Sequence, residues 1–167
     1  MNSIGPDDGA KHFLHRARDR VAVFMLSIDQ AGLAEICCHA EQAYPHECCG
    51  ILLGQFEGDA RRVTTVIRCA NACNDSPHNR FEIDPRELIR FQREARERGM
   101  DIVGFYHSHP DHPSAWSPTD LADAYWFGCS YLITSVVQGK AGPISSFELT
   151  GSDEHDKTFV EEKIEIS

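Results

Sequence analysis

The chain has 167 residues, of which 16 are Lys or Arg and 26 are Asp or Glu, so its formal net charge is −10. The length predicts a single domain with a buried core, and 41% hydrophobic residues are typical of a globular protein. The negative charge argues against nucleic acid or an anionic membrane as a partner, because phosphate groups would repel the chain. The sequence has no apolar run long enough to cross a bilayer and no hydrophobic signal segment, so a cytoplasmic location is expected.

The seven cysteines do not follow the spacing of a disulfide framework or of a structural zinc site. Two pairs are directly adjacent, which is an awkward spacing for disulfide bonds. Cys69 and Cys73 lie one residue further apart than the CxxC pairs of structural zinc sites. We therefore interpret most of the cysteines as small buried hydrophobic residues, with a catalytic thiol at Cys48 or Cys49 as the alternative.

The first half of the chain predicts a strand, a helix and a β-hairpin behind a polar extension. Residues 1–19 are expected to form a flexible N-terminal extension, and the domain is expected to span residues 20–167. The segment 71–80 is rich in Asn and is interpreted as a loop. The predicted elements are a strand at 20–26, a helix at 29–44 ended by Pro45, and strands at 49–56 and 61–69 joined by a turn at 57–59.

A second helix has a complete start signal. Asp84 is the expected N-cap, Pro85 takes the first helical position, and Glu87 stands where a capping box requires it. The helix is predicted to run to about Arg98 and to end at Gly99. Its alternating Arg and Glu residues favour a solvated surface over a binding patch.

The pattern in the last part of the chain predicts four more strands and a helix that begins after Ser117. A buried-type strand at 101–106 leads to His107, a helix begins after Ser117, and strands follow at 130–137, 144–149 and 159–166. Strands and helices intermingle without a repeat or a linker. The predicted fold class is therefore α/β or α+β, a single domain with a mixed β-sheet flanked by helices.

The pattern from residue 107 to residue 120 carries the strongest chemical signal. Because side chains alternate along a strand, His107 and His109 point to one face while Ser108 points away. Asp120 lies in the first turn of the helix capped by Ser117, where the helix dipole helps to keep the carboxylate ionised. Two imidazoles and one carboxylate suit a catalytic zinc ion with an open fourth position.

Each of these residues also has an ordinary structural interpretation. Ser117 can serve only as an N-cap, Asp120 can complement the helix dipole, and the histidines can be polar residues at a strand end. The combined pattern His-x-His-x7-Ser-x2-Asp is expected in roughly 3 of 1000 shuffled sequences of this composition. A metal site is therefore the favoured interpretation.

The His-Ser-His-Pro segment at 107–110, Ser117 and Asp120 at their spacing, and Glu-Cys-Cys-Gly at 47–50 fill every position of a known motif. On these residues the chain resembles the JAMM (MPN-plus, JAB/Mov34-type) zinc metallopeptidases. The segment 71–85 is similar to the compact single-domain bacterial and archaeal members. The resemblance covers residues 21 to about 150.

This resemblance implies a zinc peptidase or isopeptidase with a cytidine-deaminase-like fold. One Zn²⁺ per chain would be held by His107, His109 and Asp120. Glu47 would act as general base toward a zinc-bound water and pass the proton to the leaving amine, and Ser117 would donate a hydrogen bond to the developing oxyanion. Nothing local in the sequence distinguishes Glu47, so its role depends on the resemblance alone.

The resemblance also implies a substrate. The compact members resemble sulfur-carrier-protein–cysteine peptidases, so the expected substrate is the amide bond after the C-terminal Gly-Gly of a ubiquitin-like or sulfur-carrier protein. Release of cysteine would connect the enzyme to cysteine biosynthesis. The tail is expected to lie beside a sheet edge by strand addition. The chain has no room for the insertions with which eukaryotic members hold ubiquitin.

Some alternatives stay open at this point. Related MPN domains that have lost ligands are non-catalytic scaffolds, although the motif of this chain is intact. A zinc deaminase would require P-C-x-x-C as well as H-x-E, and the sequence has no P-C-x-x-C. His46 and His112 are interpreted as surface residues, with substrate contact as the alternative. A homodimer is left open as the assembly state.

Overall fold

A computed structural model describes residues 23–167. The predicted N-terminal extension at 1–19 and the beginning of the first predicted strand lie outside the described residues. Within the described part, no helix is both long and apolar enough to span a membrane. The elements in chain order are β1 (Met25–Ile28), α1 (Gln30–Ala43), β2 (Cys49–Glu57), β3 (Ala60–Cys69), α2 (Pro85–Glu97), β4 (Asp101–Pro110), α3 (Pro118–Asp123), β5 (Ser130–Val137), β6 (Lys140–Thr150) and β7 (Thr158–Ile166).

The strands form a closed barrel in the order β1-β3-β2-β4-β5-β6-β7. Strand β1 is parallel to both of its neighbours, β3 and β7, and β4 is parallel to β5, while the other pairs are antiparallel. Helix α1 packs on β3 and β6, and α2 packs on β4. The predicted α+β class with a mixed sheet is confirmed, whereas closure of the sheet through β1 was not predicted.

The position of the first strand corrects the prediction of residues 20–26. Strand β1 begins at Met25 and continues to Ile28, directly before the helix. Leu26 and Ile28 are buried, and Met25 and Ser27 are half-buried. The Asp29 side chain then accepts a hydrogen bond from the Gly32 N–H at 2.7 Å, so this strand ends where the cap of α1 begins.

Strand β6 is longer than predicted because a tight hairpin precedes it. Gln138 and Gly139 have φ angles of 49° and 80°, and Val137 pairs with Lys140. Positive φ at both central residues is the signature of a two-residue type I′ turn, whose twist matches that of the flanking strands. The prediction began the strand at residue 144 because Gly and Pro at 142 and 143 disfavour strands.

The caps of the two later helices differ from expectation in one respect. The Asp84 carboxylate accepts from the Arg86 N–H at 2.8 Å and caps α2 as predicted. The predicted capping box with Glu87 is wrong, because Glu87 instead faces Arg90 at 3.5 Å along the helix. A complete capping box occurs at α3, between Ser117 and Asp120.

Four of the seven cysteines are buried, as predicted from the sequence. Cys48, Cys49, Cys69 and Cys129 are buried in the apolar core, and all seven cysteines of the chain are free thiols. Burial raises the pKa of the Cys48 thiol to about 11, and it also raises that of Cys49. Neither thiol is poised to act as a nucleophile, so the structure does not support the alternative of a catalytic cysteine.

Buried charges join three strands of the barrel. Arg61 of β3 lies 2.7 Å from a carboxylate oxygen of Glu148 in β6 and 3.7 Å from one of Glu162 in β7. Its guanidinium also donates two hydrogen bonds, at 2.7 and 2.9 Å, to the carbonyl of Gly128. Ser146 donates to Glu162 at 2.7 Å. Each of the three charged residues is about 5% exposed, so Arg61 is the cation that makes burial of two carboxylates tolerable.

We predict that Arg61→Met lowers the free energy of unfolding by about 3–5 kcal/mol at pH 7, because it leaves Glu148 and Glu162 buried without a cation. Arg62→Met is the matched control. Its partner Glu57 is half-exposed, and this surface pair should contribute less than about 1 kcal/mol. Urea denaturation measures both variants. Equal losses in the two variants would contradict the assignment of Arg61 as the buried counter-ion.

Candidate metal centre and active site

The two histidines of the motif lie at the end of β4. His107 and His109 are buried, with 1% and 7% of their surfaces exposed, and their Nε2 atoms are 3.0 Å apart. Ser108 points away from them, and its hydroxyl accepts a hydrogen bond from the Cys48 N–H at 2.8 Å. The alternation predicted from strand geometry is therefore present, and both imidazoles point toward one location.

Asp120 reaches the same location from the first turn of α3. Its two carboxylate oxygens lie 3.2 Å from the Nε2 of His107 and 3.3 Å from the Nε2 of His109. The Ser117 N–H donates to the carboxylate at 2.6 Å, and the Asp120 N–H donates to the Ser117 hydroxyl at 3.1 Å. This capping box fixes the Asp120 carboxylate relative to the end of the helix. Capping of the helix and binding of a metal by Asp120 are therefore compatible.

The spacing of the donor atoms fits a tetrahedral metal ion. His107, His109 and Asp120 each offer one ligand atom, and these atoms all lie within 4.8 Å of one another. With bonds of 2.0–2.1 Å, ligand atoms around tetrahedral zinc are separated by about 3.3 Å. The two Nε2 atoms are 3.0 Å apart, and each lies 3.2 or 3.3 Å from a different oxygen of the Asp120 carboxylate, so each of these contacts is close to that value. Two imidazoles and a carboxylate are also a ligand set that zinc accepts in catalytic sites.

The tautomer of His109 supports the same conclusion. Its Nδ1 lies 2.8 Å from the carbonyl oxygen of Pro113, which can only accept a hydrogen bond. The neutral ring therefore carries its proton on Nδ1 and turns the lone pair of Nε2 toward His107 and Asp120. A bare nitrogen that faces a carboxylate oxygen needs a cation between them. A hydrogen bond from the outer nitrogen of a histidine to a carbonyl is the usual support of a metal ligand.

The ionisation of the three groups suits metal binding. Burial raises the pKa of Asp120, but its contacts with the His107 and His109 rings lower it more, so the net pKa lies well below the ordinary range. Burial lowers the pKa of His107 and keeps that ring neutral. Burial also lowers the pKa of His109, but contacts with Asp120 and Pro113 raise it more. At neutral pH the centre thus offers an ionised carboxylate and at least one neutral imidazole.

Glu47 lies two residues before the start of β2, on the side of His109. In the antiparallel pair of β2 and β4, Cys49 pairs with His107. The Ser108 N–H donates to the Cys48 carbonyl at 3.2 Å, and continuing the register by one more residue would set Glu47 opposite His109. Residues two apart share a face, so the glutamate is on the same side of the sheet as both histidines.

The Glu47 carboxylate is buried without a hydrogen-bond partner on Oε2, and the residue is 5% exposed. Burial raises its pKa to about 8, while His109 lowers the pKa and Asp120 raises it. A buried polar atom without a partner is rare in a folded protein and calls for a functional explanation. A carboxylate with a pKa near neutrality beside a ligand cluster is a good candidate for a general base.

A groove of about 610 Å³ opens beside the metal centre and includes His107 and Asp120 in its wall. The loop at 72–83 forms one side and the segment 119–126 forms the other. Its apolar lining consists mainly of Phe81, Ile83, Leu88, Phe105, Trp126 and Tyr131. Polar and charged residues, among them Asp75, Arg80 and Asp123, also line the groove. A concave site that combines apolar surface with polar groups is typical of a substrate-binding cleft.

Residues 29–150 match the family described as prokaryotic homologues of the JAB domain. The chain belongs to this family. Its sequence is 38% identical over 109 residues to the desampylase of Haloferax volcanii, which covers 65% of this chain and 73% of that protein. It is 29% identical over 102 residues to a Thermus thermophilus protein named "Probable TtuB-protein conjugate cleaving protease", over 61% of this chain and 65% of the relative. The JAB domain of this chain is accordingly a JAMM-type hydrolase.

Solved structures agree with the assignment to the JAB domain. A solution structure of a protein from Desulfitobacterium hafniense superimposes with a TM-score of 0.73 at 33% identity, over 86% of this chain and 93% of the other. A solution structure of a protein from Salinibacter ruber gives 0.64 at 34% identity, over 86% and 92%. The predicted resemblance to the JAMM family and the predicted fold class are confirmed.

The structure of this JAB domain also shows groups at the site that sequence reasoning missed. The carbonyl of Pro113 holds His109 at 2.8 Å, Phe81 stacks on His107, and Asn71 donates to the carbonyl of Glu47 at 3.2 Å. These residues are distant from the motif or contribute only backbone, and no local spacing signals them. His46 and His112 are exposed, in agreement with their interpretation as surface residues.

We predict that Glu47 makes the metal-free protein sensitive to pH. The carboxyl keeps its proton up to about pH 8 in the folded state, whereas it ionises near pH 4.5 when unfolded. Between these values this residue lowers the free energy of unfolding by up to about 1.4 kcal/mol per pH unit as pH rises. Glu47→Gln removes the effect, so the variant gains stability relative to the original chain across this window. Urea denaturation with chelator at pH 4, 6 and 8 measures the difference, and a constant difference would contradict the prediction.

Proposed function

We propose that this protein is a zinc-dependent isopeptidase that hydrolyses the amide bond after the C-terminal Gly-Gly of a ubiquitin-like or sulfur-carrier protein. The observation that carries the proposal is the convergence of His107, His109 and Asp120 beside the buried, unpartnered carboxylate of Glu47. The names desampylase and conjugate cleaving protease among the relatives support a small protein conjugate as substrate.

A zinc ion at this centre would act as a Lewis acid and lower the pKa of water from 15.7 to about 7. The chain supplies the remaining chemistry. Glu47 accepts a proton from the attacking water and donates it to the leaving amine nitrogen. A pKa of about 8 for the metal-free residue is close to neutrality, so it is suited to transfer in both directions.

The hydroxyl of Ser117 is proposed to stabilise the oxyanion. Its oxygen accepts from the Asp120 N–H at 3.1 Å, so its own proton is free to be donated. Ser117 is half-buried at the helix end that carries Asp120, beside the metal centre. A donor placed near the position of a developing negative charge typically contributes a factor of about 100 or more to the rate.

The groove beside His107 and Asp120 is the proposed binding place of the substrate next to the scissile bond. Strand addition at a sheet edge stays a prediction from the sequence, since β1 pairs with only Ala60–Arg62 of β3 and the rest of β3 is paired on one side, with β2. The groove offers apolar side chains and charged ones such as Asp75 and Arg80, which suits an extended peptide segment with both apolar and polar groups. A Gly-Gly tail has no side chains, so it can enter the groove and bring the scissile carbonyl next to His107 and Asp120.

We predict that a carrier protein joined through its C-terminal glycine to a lysine side chain is cleaved by the zinc-loaded protein. Chelator should abolish cleavage, and added zinc should restore it. Glu47→Gln should lower kcat by about 100-fold or more while zinc remains bound, because the proton acceptor is lost. His46→Gln, which changes an exposed neighbour, is the matched control and should retain the original rate.

A carrier protein ending in Gly-Gly-cysteine provides the second substrate arm. Preferred release of cysteine would assign the enzyme to sulfur-carrier processing, and preferred cleavage of the lysine adduct would assign it to removal of conjugates from proteins. Loss of both activities in His46→Gln as well as in Glu47→Gln would contradict the role of Glu47. Absence of zinc-dependent cleavage of either adduct would overturn the proposed function.

A further inference from the structure

The two histidines of the metal centre are supported differently. His109 is held through its Nδ1 by the carbonyl of Pro113, whereas the Nδ1 of His107 is buried and has no hydrogen-bond partner. The His107 ring instead lies against Phe81, with ring centroids 4.5 Å apart and an interplanar angle of 25°. This stacked contact is the support that the described residues provide for the outer face of His107.

Phe81 belongs to the irregular segment between β3 and α2, and one side chain holds that segment in place. The Asn71 amide nitrogen donates to the carbonyl of Arg80 at 2.9 Å, and its oxygen accepts from the Glu82 N–H at 3.1 Å. Both residues adjacent to Phe81 are thus tied to Asn71. The Ala72 N–H also donates to the carbonyl of Glu82 at 2.8 Å and joins the two ends of this segment.

The same asparagine also reaches the proposed general base. Its amide nitrogen donates to the carbonyl of Glu47 at 3.2 Å, and its oxygen accepts from the Cys73 N–H at 3.0 Å. The amide of Asn71 therefore uses both of its donor hydrogens and both acceptor positions. Only an amide offers two donors and an acceptor in this arrangement, so neither Asp nor Ala reproduces the contacts.

We propose that Asn71 and Phe81 are positioning residues of the metal centre. Asn71 holds the backbone of Glu47 and the loop that carries Phe81, and Phe81 fixes the orientation of the His107 ring. One side chain thereby sets the general base relative to a metal ligand. The inference rests on the proposed metal site, and it assigns roles to two residues outside the motif.

The orientation of the His107 ring decides where its Nε2 lies. Without a hydrogen bond at Nδ1, rotation of the imidazole about its bond to the β-carbon is limited only by packing and by the metal. A flat aromatic face at 4.5 Å permits one ring plane, whereas a branched aliphatic side chain of similar volume permits several. Supports of this kind contribute about 10–100-fold to metal affinity when they act on a ligand.

The test is the affinity for Co²⁺ and Zn²⁺, measured by competition with a chromophoric chelator, together with the visible spectrum of the Co²⁺ form. Phe81→Leu should weaken binding by about tenfold or more and alter the Co²⁺ spectrum. Phe81→Tyr retains the ring and should restore both properties. Phe91→Leu, a half-buried phenylalanine of α2 in the same apolar cluster, is the control for lost packing and should bind metal as the original chain does.

Asn71→Asp tests the second half of the proposal. It retains the acceptor oxygens for Cys73 and Glu82 and removes the donors to Glu47 and Arg80. We expect kcat to fall about tenfold or more with KM changed by less than about threefold, since the base is displaced and substrate contacts are kept. Gln92→Glu on α2 is the control for an amide-to-carboxylate change and should leave kcat and metal affinity unaltered.

The outcomes separate this inference from the proposed function. An original chain that binds neither metal overturns the proposed function and the positioning roles with it. An original chain that binds metal, with Phe81→Leu binding equally well, overturns the positioning role of Phe81 alone. Equal losses in Phe81→Leu and Phe91→Leu would show general destabilisation and would also overturn it. An unchanged kcat in Asn71→Asp overturns the role of Asn71.

Discussion

The site depends on the convergence of three donor atoms in a buried place. Two imidazole nitrogens lie 3.0 Å apart and 3.2–3.3 Å from the oxygens of one carboxylate, and in the neutral His109 ring the proton is on Nδ1, so the inner nitrogen carries a lone pair. Such an arrangement is unfavourable unless a cation lies between the groups, because lone pairs would otherwise face each other away from water. The strands and the helix around the site hold these atoms together.

Three parts of the fold contribute to this convergence. Strand β4 places His107 and His109 on one face, the capping box of α3 brings Asp120 to them, and the pairing of β2 with β4 sets Glu47 opposite His109. The irregular segments beyond the strands complete the site through backbone carbonyls and the amide of Asn71. The barrel supplies a rigid frame, and buried charge pairs link its strands on the side of β6 and β7.

The sequence predicted that the side chains of His107, His109 and Asp120 come together, and it did not predict the groups that support them. The two-residue period of a strand and the N-cap signal at Ser117 are local, so His107, His109 and Asp120 could be placed from spacing alone. Glu47 was found only through resemblance, since its role depends on the pairing of two strands. Phe81 and the carbonyl of Pro113 act through contacts that no local pattern records. Closure of the sheet through β1 is likewise a long-range property.

The central claim is that His107, His109 and Asp120 bind one zinc ion. Isothermal titration of the metal-free protein with zinc tests it most directly, with His109→Ala and the exposed-site control His112→Ala beside it. We predict one equivalent of tightly bound zinc for the original chain and for His112→Ala, and a loss of affinity of at least about 100-fold for His109→Ala. Equal affinity of His109→Ala and the original chain, or a stoichiometry near zero, would contradict the account.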